Sequence, residues 1–163
     1  MNNKILITGG SGFIGTNLIQ FYENKKFIIL NLDISSPRDC SHRKHWKKVD
    51  ILKFQQLKDE ILKFNPDYII HMAARTDLDS DSVNDYKVNT VGVSNVIKIS
   101  NLCSNLKRVL FTSSMLVCDV GYIPKYQTDF CPNNAYGKSK VEFEQIIRAS
   151  KLNYHWAIIR PTS

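Results

Sequence analysis

The sequence lacks the features that mark membrane, secreted and metal-binding proteins. Its apolar runs stay well short of the roughly 18 residues that a membrane-spanning helix needs, and glycines follow the N-terminal apolar stretch too soon for a signal peptide. The four cysteines, Cys40, Cys103, Cys118 and Cys131, show no CxxC spacing and no neighbouring histidine cluster. We therefore expect a cytoplasmic protein with free thiols, no membrane association and no metal site.

The chain also lacks repeats, low-complexity tracts and linkers. Its 163 residues, 43% of them hydrophobic, predict one domain spanning 1–163. Much of the local excess behind the net charge of +7 lies in the run HRKHWKK, 42–48. Basic residues interleaved with an aromatic residue are compatible with contacts to nucleic acid or another polyanion. We favour the alternative of a solvated loop after the second strand, which makes a nucleic-acid partner the less favoured interpretation.

Short apolar runs alternate with longer helical segments along the chain. Five runs are apolar throughout, which is typical of strands buried on both faces, and they span 4–8, 27–32, 67–72, 108–113 and 155–160. A sixth, short strand is predicted near 46–49, and helices are predicted at 12–24, 54–64, 83–104 and 135–152. This alternation predicts an α/β fold, a doubly wound parallel sheet with helices on both faces.

The loop TGGSGFIG, 8–15, joins the first predicted strand to the first predicted helix. Gly10, Gly12 and Gly15 match the spacing GxGxxG, whereas Gly9, Gly12 and Gly15 match GxxGxxG. A glycine loop at this junction brings bare backbone N–H groups and a helix N-terminus to one place. Such a site suits the pyrophosphate of a dinucleotide.

Asp33 closes the second predicted strand, 18 residues after Gly15. An acidic residue at about this separation accepts hydrogen bonds from the adenosine ribose hydroxyls, and its charge repels a 2'-phosphate. The sequence therefore predicts NAD rather than NADP as the cofactor. The alternative is a turn residue before Ser35, Ser36 and Pro37.

Tyr136 and Lys140 stand four residues apart in AYGKSK and would project from one face of a helix. An ammonium group beside a phenol favours the phenolate, so we expect Lys140 to lower the pKa of Tyr136 into a range suited to proton exchange. Ser113 and Ser114 end the strand RVLFTSS, at the edge where functional groups of a parallel sheet gather. We expect a hydroxyl there to bind the substrate oxygen while Tyr136 moves its proton.

These features and several further motifs together resemble the extended short-chain dehydrogenase/reductase family, in its NAD-dependent epimerase/dehydratase branch acting on nucleotide sugars. The resemblance covers essentially the whole chain and implies a Rossmann fold. The ordered motifs are TGGSGFIG (8–15), Asp33, VDI (49–51), HMAAR (71–75), VNTVG (88–92), FTSS (111–114), YGKSK (136–140) and IIRP (158–161).

The resemblance implies a role for each matching position. Ser114 would hold the reacting hydroxyl, Tyr136 would be the acid/base, and Lys140 would bind ribose and tune Tyr136. Cofactor contacts would come from the glycine loop and Asp33, from Tyr136 and Lys140, and from Phe13, Ile14, Asp50, Ile51, Ala73, Ala74, Asn89 and Pro161. Among these, Phe13 and Ile14 would line the pyrophosphate site, Asp50 and Ile51 would contact adenine, and Asn89 would support the site from its helix. Ordinary packing or capping is the alternative for Asn89, Asp50 and the two alanines.

The implied function is hydride transfer from a sugar carbon to NAD, as a nucleotide-sugar epimerase or reductase. Met115 and Leu116 occupy the places where dehydrating and decarboxylating members carry acidic residues, and neither side chain exchanges protons. A second departure is VCD at 117–119, where the family usually has Val-Tyr-Gly, so Cys118 and Asp119 alter the expected substrate pocket. The alternative function is a non-catalytic module that binds a dinucleotide or a macromolecule.

Family members continue past the Arg-Pro motif into a segment that binds the nucleotide sugar. We therefore expect this chain to be the cofactor-binding half, with the C-terminal substrate-binding segment absent. The predicted helices at 83–104 and 135–152 resemble the pair that builds the family's dimer interface, so a homodimer is expected. Without the C-terminal segment to cover it, the edge of the sheet is also expected to expose apolar surface.

Overall fold

The fold is a single six-stranded parallel sheet flanked by helices, and the computed structural model describes residues 2–162. The strands are β1 Lys4–Thr8, β2 Ile28–Asp33, β3 Trp46–Lys48, β4 Tyr68–His71, β5 Arg108–Thr112 and β6 His155–Ile159. The helices are α1 Phe13–Asn24, α2 Phe54–Phe64, α3 Lys87–Ser100 and α4 Ala135–Ala149. The strand order is β3-β2-β1-β4-β5-β6, which confirms the predicted doubly wound sheet and its short sixth strand.

The register of the central strands brings their carboxyl ends to one edge of the sheet. Thr8, the last residue of β1, pairs with Leu32 of β2 on one side and with His71 of β4 on the other. Since all neighbouring pairs are parallel, every loop that follows a strand leaves the sheet at this edge. The strand order reverses between β1 and β4, and a crevice opens there.

The two faces of the sheet are covered unequally. Alternate residues of the strands, among them Leu6, Leu30 and Ile69, join one large core with α2, α3 and α4. The intervening residues face α1 in a smaller cluster made of Ile5, Ile7, Ile19, Ile29 and Ile70. Both central strands are therefore buried on both faces, as their unbroken apolar runs predict.

Strand β6 departs from this pattern. Its burial on both faces was predicted from an apolar run, and that prediction is wrong, because Trp156 is 39% exposed and Ile159 is 41% exposed. Within residues 2–162, this strand pairs only with β5 and forms an edge of the sheet. A shallow cavity of about 310 Å³ also opens on the α1 face, beside Tyr68 and Leu110. The expected apolar surface at the sheet edge is therefore present.

Two predicted helices are shorter in the structure than in the sequence pattern. The segment 83–104 begins as a 3-10 turn, Val83–Tyr86, and becomes α-helical only at Lys87. The Tyr86 hydroxyl donates to the carbonyl of Asp77, 2.9 Å away, so this fully buried side chain holds the first turn against the preceding loop. The predicted helix 135–152 ends at Ala149, because Ser150 adopts an extended backbone.

The basic run 42–48 is more ordered than the solvated loop that was expected. It lies in a 3-10 helix, Cys40–His45, and in β3. His42 is buried, and Glu23 of α1 accepts from Lys44 and His45, both at 2.8 Å. Part of the positive charge is thus neutralised within the protein, which weakens the nucleic-acid interpretation.

Two expected absences can be compared with the described residues. No helix within 2–162 is both long and apolar enough to cross a membrane. Nor does that part of the chain gather three or more His, Cys, Asp or Glu side chains in a group that could hold a metal ion. All four cysteines are free thiols, as predicted.

Candidate functional site

A cavity of about 840 Å³ lies at the carboxyl edge of the sheet, over the point where the strand order reverses. Its size is in the range of small-molecule and cofactor sites. All but one of the site residues predicted from the sequence line it, namely Gly9, Gly12, Phe13, Ile14, Gly15, Asp33, Asp50, Ile51, Ala73, Ala74, Ser114, Tyr136, Lys140 and Pro161. The exception is Asn89.

The glycine loop forms one wall, and its geometry separates the two possible spacings. Gly9 has a φ of +73°, and a Cβ on it would lie 2.6 Å from the backbone nitrogen of Ala73. A Cβ on Gly15 would overlap the Cα of Gly10, whereas one on Gly12 would meet only the Gly9 carbonyl at 3.6 Å. Gly10 does not line the cavity and donates its N–H to Asn31 Oδ1, 3.0 Å away. The cavity is therefore bounded by the GxxGxxG set.

Helix α1 begins at the cavity without a capping side chain. Gly12 is its N-cap and supplies no side-chain hydrogen bond, and the first turn contains no acidic residue. The first N–H groups of a helix have no partner within it, and the helix dipole gives that end a partial positive charge. Phe13 and Ile14 are 72% and 49% exposed beside this end. The arrangement favours an anionic group such as a phosphate.

Asp33 is the last residue of β2, the strand next to β1, and the glycine loop follows β1. Its Oδ2 accepts from the backbone N–H of Ser11 at 3.0 Å, and its Oδ1 accepts from that of Ser35 at 2.9 Å. A carboxylate has about four acceptor positions, so two remain for ligand hydroxyls. Asp33 thus has the turn role considered as an alternative and still faces the cavity.

Arg38 lines the same end of the cavity, and the sequence interpretation missed it. Its side chain is exposed and follows Asp33 by five positions in the loop after β2. The available signal was a cation in the same loop as the candidate ribose acceptor. Ser11, Thr76, Val88 and Thr162 were also missed as lining residues.

The segments that follow β3 and β4 form a further wall of the cavity. The Asp50 carboxylate accepts from the N–H of Leu52 at 2.9 Å and so shapes the turn after β3. Ile51 is held by Asn95, whose amide donates to its carbonyl at 2.9 Å. Ala73 follows β4, and its N–H reaches the Thr8 hydroxyl at 3.3 Å. These contacts fix the backbone that borders the site.

Ser114 and Tyr136 are brought together by the packing of α4 against the 3-10 turn Met115–Val117. Asn134 caps α4 by accepting from the N–H of Gly137 at 2.7 Å. A Cβ on Gly137 would overlap the carbonyl oxygen of Leu116, so only glycine permits this approach. The Ser114 hydroxyl accepts from the N–H of Leu116 at 3.1 Å and lies beside the Tyr136 phenol.

The expected effect of Lys140 on Tyr136 is not present in this structure. Burial raises the pKa of the Tyr136 phenol above its ordinary value, and hydrogen bonding to Ser114 opposes the shift without cancelling it. Lys140 is itself buried, and burial lowers its pKa to about 8. Its ammonium donates to the carbonyl of Thr112 at 2.9 Å and lies 4.5 Å from the centre of the Phe143 ring. The phenol is consequently protonated at neutral pH.

Asn89 supports the site from behind and does not border the cavity. It is fully buried, and its amide accepts from the N–H of Arg75 at 2.9 Å and donates to the Arg75 carbonyl at 3.1 Å. It also donates to the Ser139 hydroxyl at 2.8 Å. Asn89 therefore joins the loop after β4 to α4, and direct cofactor contact is not what its geometry provides.

A buried ion pair between Glu144 and Arg160 joins α4 to the residues after β6, and the sequence interpretation missed it. Glu144 is fully buried one turn beyond Lys140 and accepts from Arg160 Nε at 2.7 Å and Nη2 at 2.8 Å. Arg148 adds a third contact at 3.3 Å. Arg160 lies just after β6, so the pair connects that edge strand to the helix that carries Tyr136.

Buried His71 was also missed, although it begins the quoted HMAAR motif. Its Nδ1 lies 2.7 Å from the Thr8 hydroxyl, and its ring stacks on Phe143 with the centres 5.8 Å apart. Burial, with a further contribution from the charge of Lys140, lowers its pKa to about 3. A neutral His71 therefore lies between Thr8, at the end of β1, and Phe143 of α4.

Comparison with known proteins gives consistent results. A family model described as the NAD dependent epimerase/dehydratase family matches residues 5–163. The chain is 30% identical to a UDP-glucose 4-epimerase of Vibrio cholerae, with 99% of this chain and 52% of that protein covered. It is 32% identical to the N-acetyl-alpha-D-glucosaminyl-diphospho-ditrans,octacis-undecaprenol 4-epimerase of Escherichia coli O157:H7, covering 99% of this chain and 49% of that protein.

Among solved structures, the UDP-glucose 4-epimerase of Brucella ovis in complex with NAD superposes with a TM-score of 0.81 at 25% identity. The match covers 97% of this chain and 51% of that one. The chain spans about half the length of the curated relatives it matches.

The burial of His71 predicts a loss of stability in mild acid. The unfolded chain binds a proton at this residue below about pH 6.5, while the folded chain does so only near its pKa of about 3. The free energy of unfolding should therefore fall as the pH falls through this window, by about 2 kcal/mol at about pH 5.

Denaturant titrations at about pH 7 and about pH 5 measure this effect. The variant His71→Gln, which cannot titrate, should lose less stability between these two conditions than the wild type does. His155→Gln, an exposed position on β6, serves as the control and should behave like the wild type. An equal loss in wild type and His71→Gln would contradict the assignment.

Proposed function

Because this chain belongs to the NAD-dependent epimerase/dehydratase family, we propose that it is the cofactor-binding half of a nucleotide-sugar epimerase or reductase that uses NAD. The observation that carries this proposal is convergence on one cavity. The glycine loop, Asp33 and the set Ser114, Tyr136 and Lys140 come from four separate segments, and all of them line it. This convergence supports a reacting group of residues beside a dinucleotide site.

The residues divide into an end that binds and an end that reacts. The N-terminus of α1 faces the pyrophosphate, and Asp33 accepts from the ribose hydroxyls while disfavouring a 2'-phosphate. Bound NAD supplies a carbon that accepts a hydride from the sugar. At the reacting end, the Lys140 ammonium uses one of its three N–H donors on the carbonyl of Thr112. The other two donors are available to ribose hydroxyls.

Proton movement is assigned to the phenol of Tyr136. Ser114 lies beside the phenol and orients the sugar hydroxyl, and Tyr136 exchanges the proton with it. Because its pKa is raised, the Tyr136 phenol is a proton donor at neutral pH. Its use as a base requires a nearby positive charge, and Lys140, one helical turn away, is the residue placed to provide it.

The side chains after Ser114 favour epimerisation or reduction over elimination of water. Met115 is 42% exposed next to Ser114, and Leu116 is held by its N–H to the Ser114 hydroxyl. Neither side chain can give or take a proton, so the acid and base that a 4,6-elimination needs are missing from these positions. The sugar and its nucleotide are not specified by these residues.

Calorimetric titration with NAD and with NADP tests the binding half of the proposal. We expect NAD to bind more tightly than NADP, and Asp33→Asn, which removes the charge but keeps an acceptor, to weaken NAD binding at least about tenfold, or about 1.4 kcal/mol. The selectivity against NADP should shrink in the same variant. Asp59→Asn, at an exposed position on α2, is the matched control.

A folded chain that binds neither dinucleotide would overturn the cofactor assignment and favour a non-catalytic module. Equal affinities for NAD and NADP in the wild type would overturn the role of Asp33 alone.

Tyr136→Phe tests the reacting half. Because the phenol ring stays while the hydroxyl is removed, NAD binding by this chain should stay within about threefold of wild type. In a protein extended to the full length of the relatives, turnover of a nucleotide sugar, measured as product formed, should fall about 10²- to 10⁴-fold. Tyr126→Phe, at a 64% exposed tyrosine, should leave turnover unchanged. Full activity of Tyr136→Phe would exclude the acid/base role.

We further propose a homodimer formed through the outer faces of α3 and α4. The two helices pack side by side, and Val91 is 46% exposed on α3. Light scattering should give twice the monomer mass, and Val91→Lys should shift the protein toward monomer. Val120→Lys, at an 85% exposed loop residue, should not. A wild-type monomer at micromolar concentration would refute the interface.

A further inference from the structure

Two of the four cysteines border the loop between β5 and α4. Cys118 ends the 3-10 turn after Ser114, and Cys131 lies four residues before α4. Their backbones form a parallel bridge, in which Asp119 N–H donates to the Cys131 carbonyl at 2.7 Å and Cys131 N–H donates to the Val117 carbonyl at 3.0 Å. The two cysteines are therefore direct partners across this bridge.

This pairing meets the spatial requirement for a disulfide. Paired extended segments lie about 4.7–4.9 Å apart, and disulfide-bonded cysteines have Cα atoms about 4.4–6.8 Å apart. Residues directly paired in this way point to the same face. The Cys118 Sγ lies 3.5 Å from the carbonyl oxygen of Asp129, on the segment that carries Cys131.

Tyr122 lies in the loop between the two cysteines, within electrostatic reach of both. Its hydroxyl donates to Asp129 Oδ1 at 2.7 Å. That hydrogen bond, followed by burial, raises the pKa of Tyr122 to about 12, and both Cys131 and Cys118 add to the shift through their charges. Each thiol is consequently near the same phenol.

The other two cysteines lack these properties. Cys103 is buried, burial raises its pKa to about 11, and its thiol lies 3.7 Å from the Ile99 carbonyl of its own segment. Cys40 is exposed at the start of a 3-10 helix and is not bridged to another cysteine within residues 2–162. By contrast, Cys131 is exposed and Cys118 is half-buried, so oxidants can reach the bridged pair.

The bridged pair also lies between the two reacting residues. Cys118 follows Ser114 by four positions, and Cys131 precedes Tyr136 by five. The loop between them, 119–130, carries Gln127, whose carbonyl accepts from Arg160 at 2.6 Å. A covalent bond here would join the segments that hold Ser114 and Tyr136 at the point where their backbones already touch.

We propose that Cys118 and Cys131 form a reversible disulfide that restrains the loop 119–130 beside the reacting residues. The oxidant is a hydroperoxide such as hydrogen peroxide. The exposed Cys131 thiolate attacks one peroxide oxygen, the O–O bond breaks, and a sulfenic acid forms as water leaves. The Cys118 thiolate then attacks that sulfur, the S–S bond forms and the S–O bond breaks. The hydroxide that leaves takes up the proton lost by the Cys118 thiol and departs as a second water. A dithiol reverses the reaction by exchange.

Thiol counting on the reduced 163-residue chain tests this site directly. After treatment with one equivalent of hydrogen peroxide and alkylation, two of the four thiols should be lost, with a mass decrease of two hydrogens before alkylation. Proteolytic mapping should recover one peptide pair joined through Cys118 and Cys131. Cys40→Ser should form the Cys118–Cys131 disulfide as the wild type does. Cys118→Ser and Cys131→Ser should form no intramolecular disulfide.

Limited trypsin digestion tests the restraint of the loop. Lys125 lies at an exposed position within 119–130. Closing this short loop should slow cleavage after Lys125 at least about fivefold in the oxidised wild type. A dithiol should restore the reduced rate, and Cys118→Ser should show no effect of oxidant. The readout does not involve NAD, so its outcome is independent of the proposed function.

Three outcomes would overturn the proposal. These are four alkylated thiols after oxidation, a stable oxidised Cys131 without linkage to Cys118, or linkage only between separate chains. The decisive measurement is made on the wild-type protein, so misfolding of a variant cannot obscure it.

Discussion

The close approach of backbone to backbone around the glycine loop is the constraint on which the site depends. Gly9 lies so near the segment after β4 that a side chain would displace Ala73, and Gly15 lies against Gly10 in the same way. This contact lets α1 begin directly at the sheet edge, so that its N-terminus points into the crevice. A side chain at Gly9 or Gly15 would shift both the N-terminus of α1 and the wall of the cavity formed by Ala73 and Ala74.

A second constraint acts on α4 through buried charge. Lys140 and Glu144 are both buried one helical turn apart, and burying a charge is costly unless it is paired. Glu144 is satisfied by Arg160 and Arg148, and its charge also opposes the fall in the pKa of Lys140. The charge of Glu144 therefore helps Lys140 to keep its proton near neutral pH, while the ion pair with Arg160 anchors the helix to the edge of the sheet.

The sequence was most informative where local pattern and long-range packing agree. Unbroken apolar runs predicted β1, β2, β4 and β5, and the glycine spacing predicted which backbone borders the cavity. It was least informative where the outcome depends on what lies opposite a residue. The apolar run of β6 looks buried but lies at a sheet edge. The spacing of Tyr136 and Lys140 likewise does not reveal that burial raises the pKa of the Tyr136 phenol. His71 and Glu144 were missed for the same reason, since their contacts with Thr8 and Arg160 join segments that are apart in the sequence.

The position of β1 has a consequence for how the chain folds. This strand is synthesised before the other five strands of the sheet yet lies at its centre, and its partners in β4 come 63 residues later, as in the pairing of Ile5 with Tyr68. Until β4 leaves the ribosome, one edge of an apolar strand has no partner, and such edges readily pair with other chains. The need for this distant pairing also makes folding slow compared with helical proteins of similar size. During synthesis, the unpaired edge of β1 is therefore a surface that suits a chaperone.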